Sequence, residues 1–130
     1  MAFDPRDSGP FVEHLGLNIT EASGERVTAT WTAGEKHHQP YGIVHGGVHA
    51  SVVETLGSVG SALWYGDDGK CVGVSNSTDF YRAVREGELT SVATPVHQGR
   101  SQQVWLVETH DATGRLVSRG QLRVQNLPAR

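Results

Sequence analysis

The chain has a single cysteine, Cys71, which excludes an internal disulfide and any cysteine-ligated metal cluster. A lone thiol of this kind reads as a small buried core residue. A basic surplus is also missing. Eleven Lys and Arg stand against fourteen Asp and Glu, for a net charge of −3. No cationic stripe is available to displace phosphate counterions, so nucleic-acid binding is excluded, although the arginines suffice to grip one phosphorylated small molecule. No apolar run approaches the roughly 20 residues that span a bilayer. The opening MAFDPRDSGP lacks the basic start and apolar stretch of a secretion signal, and the expected location is cytoplasmic. No HExxH, G-x-S-x-G, GxGxxG or Walker loop occurs, which argues against zinc, serine-triad and nucleotide chemistry. Internal repeats, heptads and low-complexity tracts are absent.

What remains is 130 residues with 37% hydrophobic content and 16 glycines, enough for one domain rich in tight turns. A core of that size is limited, and oligomerisation would extend it. Ser8, as a cap, and Phe11, Val12 and Leu15, on one face, predict a short helix over about 8–15. A short strand at 16–23 precedes a clearer one from Arg26 to Ala33, where Val27, Ala29 and Trp31 alternate with polar neighbours. A polar loop, 34–40, follows. Val48, Val52, Leu56, Val59 and Leu63 then recur at steps of three and four and predict one long helix over 46–65. Its other faces carry small residues, among them Gly57 and Gly60, as expected where another backbone approaches closely. Four further strands, 71–81, 88–98, 102–110 and 115–125, are separated by short turns and so pair antiparallel. The third is apolar on both faces, which predicts cover by the helix on one side and by a partner on the other. The pattern is α+β, a sheet of about six strands with one long helix.

Chemistry concentrates in that helix. Between Lys36 and Asp67, Glu54 is the one acid, lysine or arginine, and it sits in the third turn, too late to serve as a cap or dipole partner. A carboxylate in such a setting is costly unless it is paired or has work to do, although an exposed helix edge would also account for it. His45-Gly46-Gly47 leads directly into the helix. The glycines admit a ligand to the backbone, and the first-turn N–H groups suit a carbonyl oxygen that gains charge during acyl transfer. A plain tight turn is the simpler alternative. Gly46 and Glu54 lie eight residues apart, about 12 Å along a helix axis, whereas attack requires about 3–3.5 Å. One helix cannot supply both groups, but a second copy running antiparallel could. His45 and His49 have i, i+4 spacing without a third ligand in register, so a metal site is not expected.

The string Gln39-Pro40-Tyr41-Gly42-Ile43-Val44-His45-Gly46-Gly47, followed by Glu54-Thr55-Leu56-Gly57-Ser58, resembles the hotdog thioesterases of the phenylacetate-degradation and hydroxybenzoyl-CoA thioesterase type. That resemblance implies a hotdog fold, an antiparallel sheet wrapped around the central helix. It implies hydrolysis of an acyl- or aryl-CoA thioester without a cofactor, by a homodimer or a dimer of dimers. Glu54 would be nucleophile or general base, and the Gly47 N–H would polarise the carbonyl beside Gly46. Gln39 and His45 would orient the thioester or water, and Ser58 would hold the water or the carboxylate. Where the related siderophore proofreading enzymes carry a histidine pair, this chain has Phe80 and Tyr81. The proofreading substrate is therefore not carried over, and an apolar or aromatic acyl group stays open. Arg82, Arg85, Arg100 and Ser101 are candidates for the CoA phosphates. A non-catalytic acyl-CoA or small-ligand binding protein on the same fold is the alternative. A hotdog hydratase is a weaker one, because Glu54 has no histidine at i±3 or i±4.

Overall fold

A computed structural model describes Asp4 and residues 7–130. Helix α1 (Pro10–Leu15) opens with proline at its first position, where the missing N–H costs nothing, and ends at Gly16 in the left-handed region, φ 77°. Its N-cap is Gly9 rather than Ser8, and no side chain caps it, so the expected serine cap is corrected. Strands β1 (Asn18–Ala22) and β2 (Val27–Ala33) form the first hairpin. Helix α2 runs unbroken from Gly46 to Tyr65, as the periodicity predicts. Strands β3 (Gly69–Phe80), β4 (Gly87–Gln98), β5 (Gln102–Asp111) and β6 (Leu116–Pro128) complete the chain.

The six strands form one antiparallel sheet in the order β1-β2-β4-β5-β6-β3. Sequence neighbours pair except around β3, which crosses to the far edge beside β6. α2 lies across the sheet and buries Val52, Val53, Leu56 and Val59 against Val27, Trp31, Leu89, Trp105 and Leu122. Val48 and Leu63, predicted for the same stripe, are half-buried at its ends. This is the hotdog architecture, a curved antiparallel sheet holding one helix.

The helix glycines fill the role predicted for them with one correction. What presses on them is side chain rather than backbone. A Cβ at Gly60 would lie 2.4 Å from the Trp105 ring, and one at Gly57 would lie 2.7 Å from the Leu122 side chain. Beneath α2 a buried polar cluster is fully partnered around Gln103. Its amide accepts from Trp105 Nε1 at 2.9 Å and donates to Asn126 Oδ1 at 2.9 Å and to the Ser61 carbonyl at 3.2 Å. Cys71, expected to be buried, is only half-buried, and its thiol donates to the same cluster at 3.5 Å; burial pushes it up from the usual thiol range. β5 buries Trp105 and Val107 under the helix, while Val104 and Leu106 on its outer face remain half-buried.

Candidate active site

Glu54 is exposed on the side of α2 that faces the β3 edge of the sheet. A groove of about 1030 Å³ runs along this face between α1, α2 and β3, and Glu54 and Ser58 both line it, one helical turn apart. The Glu54 carboxylate is positioned rather than loose. Its Oε1 accepts from Asn76 Nδ2 at 3.2 Å, and Asn76 is itself fixed by donating to the Ala50 carbonyl at 2.9 Å. Thr78 Oγ1 then donates to Asn76 Oδ1 at 2.7 Å, which settles the orientation of that amide. Gly73 leaves room for the acid, since a Cβ there would lie 2.2 Å from Glu54 Oε2. Asn76, Thr78 and Gly73 were not singled out from sequence. All three lie on β3, and only pairing of β3 with β6 turns them towards α2.

At the helix start, the structure distinguishes the two glycines. The Gly47 N–H, predicted as the carbonyl-polarising donor, already donates to His45 Nδ1 at 2.7 Å. His45 is thus the helix N-cap, and Gly47 is closed while that cap is in place. Gly46 is the first residue of α2, and its N–H has no acceptor among the described residues. Gly46 is therefore the open donor at the positive end of the helix. The Phe80 ring lies against it, 2.6 Å from where a Cβ would be, so a side chain at 46 would have to displace the ring.

The loop before α2 holds Gln39 firmly. His38 bridges to Val44, the Gln39 N–H donates to the Ile43 carbonyl at 2.9 Å, and Gln39 Oε1 accepts from the Tyr41 N–H. With its oxygen occupied, the amide has its Nε2 protons left to donate. Arg85 reaches back to the Tyr41 and Gly42 carbonyls, at 3.4 Å each, and the Val44 N–H donates to the Val84 carbonyl. These contacts bring the segment from Phe80 to Arg85, with exposed Tyr81 and Arg82, to the same end of the molecule as Gly46. Arg100 and Ser101 are elsewhere. They line a cleft with Trp64 and Tyr65 at the C-terminal end of α2. At a rise of about 1.5 Å per residue, that is about 28 Å from the helix start.

His45 and His49 do not make a pair. His45 is exposed at the cap, whereas His49 is buried against the Trp31 and Phe80 rings, with ring centroids 6.0 and 5.9 Å away. Its Nδ1 has no hydrogen-bond partner, and desolvation, with His37 nearby, lowers it to about 4. Among the described residues no three acids, histidines or cysteines converge on a common point.

A positioned carboxylate on a helix face and an open N–H at a glycine-rich helix start are groups that acyl transfer can use. Residues 41–118 match the family model described as the thioesterase superfamily. The chain belongs to the thioesterase superfamily. This thioesterase is similar to the crystal structure of S. sahachiroi AziG, with 53% identity, a TM-score of 0.92, and coverage of 93% of this chain and 98% of that one. It is 43% identical to a Mycobacterium tuberculosis protein named as an esterase, over 93% of this chain and 89% of that protein. It is also 38% identical to the proofreading thioesterase EntH of Cronobacter turicensis, over 88% of this chain and 83% of that protein. The thioesterase is a thioester hydrolase of the hotdog fold. Among its described residues, no helix is long and apolar enough to cross a membrane.

Proposed function

We propose that this thioesterase hydrolyses acyl- or aryl-CoA thioesters to the free acid and CoA, in the cytoplasm, at a site completed by a second copy of the chain. The observation that carries this reading is the Glu54 carboxylate, held by Asn76 about 12 Å along α2 from the open Gly46 N–H. Groups so separated act on one thioester only when two helices run antiparallel, with Glu54 of one copy facing Gly46 of the other. β3 supports such pairing. It is a 12-residue strand at the edge of the sheet, and Val72 and Val74 on it are exposed, the kind of edge that invites a second strand. The half-buried apolar outer face of β5 suits a further contact between dimers.

In this arrangement the Gly46 N–H polarises the thioester carbonyl, with the Gly47 N–H joining if the His45 imidazole turns aside. Gln39 Nε2 and His45 orient the thioester, and the Ser58 hydroxyl holds water or the carboxylate. Glu54 either takes a proton from water as the water oxygen bonds to the carbonyl carbon, or bonds to that carbon itself. The carbon–sulfur bond then breaks and CoA leaves as its thiolate; in the second case water hydrolyses the resulting anhydride. Arg82 lies on the side of the helix start where CoA phosphates would emerge. Arg100 and Ser101 come within reach only from the antiparallel copy. The chemistry calls for no cofactor beyond the CoA of the substrate.

Release of free thiol from a panel of CoA esters tests the reading. Glu54→Ala is expected to lose about 10²–10⁴-fold in turnover. Full turnover by that variant, with its oligomeric state retained, removes the assignment. Binding of CoA esters by the wild-type protein without thiol release would identify a ligand-binding protein instead.

A further inference from the structure

The Glu54 groove carries an assignment beyond the reaction itself. Among the described residues, the charged side chains that line it are Asp7, Glu54 and Lys70. A largely apolar channel offers the phosphates of CoA little to replace their hydration, so it suits the acyl end of the substrate better than the nucleotide end. The acyl group is the part that fits. From Glu54 the floor of the groove continues along α2 past Ser58 to Ala62, eight residues and about 12 Å. α1 also lines it, through Phe11 and Val12.

α1 is joined to the rest of the chain at glycine turns. Positive-φ glycines flank it, Gly9 at 90° and Gly16 at 77°. One end is anchored: Leu15 is buried, and its carbonyl accepts from His37 Nε2 at 2.8 Å. A second cleft, of about 420 Å³, borders its other side, where Glu13 lies. Phe11 is 61% exposed in the single chain, so nothing in the core requires an aromatic ring there.

We propose that α1, chiefly through Phe11, is the acyl-specificity element: it closes the distal end of the groove over a bulky apolar acyl group, of medium chain length or aromatic. This rests on hydrolysis at Glu54. The test compares kcat/KM for acetyl-, decanoyl- and naphthoyl-CoA in the wild type, Phe11→Ala, Ala62→Phe and, as a control on the other side of α1, Glu13→Ala. Wild type is expected to prefer the two bulky esters. Phe11→Ala should lower the bulky-to-acetyl ratio about tenfold, within the range that hydrophobic pocket contacts supply. Ala62→Phe, which fills the floor opposite, should lower the ratio further, and Glu13→Ala should leave it alone. An active Phe11→Ala enzyme with an unchanged ratio overturns the role of α1 while hydrolysis stands. A wild-type protein that releases no thiol from any ester overturns both.

Discussion

Gly73→Ala adds one methyl group to β3 at the point where the Glu54 carboxylate lies. The new Cβ would be 2.2 Å from Oε2, whereas ordinary contact begins at 3.4 Å, so the carboxylate must retreat by at least 1.2 Å. The moving atom is the far end of an exposed, flexible side chain, and Gly73 does not have a positive φ, so the backbone accepts alanine. Stability should hardly change, because glycine in a strand interior has little to recommend it otherwise. Function should change a great deal. A retreat of that size breaks the 3.2 Å hydrogen bond from Asn76, and displacing a reacting group by about 1 Å costs on the order of 10²-fold in rate. Paired measurements of thiol-release kinetics and thermal melting check this. A loss of about 10²-fold in kcat with a melting temperature within a few degrees of wild type is the expected result. Full activity would refute the reasoning, because it would show that the carboxylate position set by Asn76 and Gly73 is not the reactive one.

Two further predictions concern the body of the protein. His49 is held down to about 4 in the folded state, against about 6.5 when unfolded, so the unfolded chain binds the extra proton as pH falls through that window. Stability is therefore lost between about pH 6.5 and 4, by roughly 2 kcal/mol at pH 5. His49→Leu should flatten that loss in urea unfolding at pH 7 and pH 5, whereas an undiminished acid slope would show that other groups cause it. Gln103→Leu strands the buried Trp105 Nε1 donor and removes a partner from Asn126. The expected cost is about 2–4 kcal/mol, or roughly 10 °C in melting temperature, and a melting point near that of wild type would refute it.

The sequence by itself determined the elements and singled out the candidate residues for chemistry. The step of three and four from Val52 to Val59 marks α2 because a helix must put one stripe on the core. Alternation in β2 marks its buried face for the same reason with a period of two. Glu54 and His45-Gly46-Gly47 stood out because a lone charge in an apolar helix, and glycines ahead of its first turn, are unusual locally. Even the 12 Å between them followed from helix geometry. Boundaries were read to within about three residues; the Ser8 cap was misplaced because Gly9 supplies the turn instead.

The tertiary structure decided what depends on groups distant in sequence. That β3 crosses to the edge beside β6 cannot be read from strand order, and this crossing brings Asn76 and Gly73 to Glu54. The choice of Gly46 over Gly47 as the open donor depends on where the His45 imidazole turns, which a string of letters does not contain. Arg82 and Arg100 look equivalent as exposed cations near turns, yet the fold sends them to opposite ends of α2. Periodicity reports which face is buried; which residue meets which across the core is fixed only when the chain closes on itself.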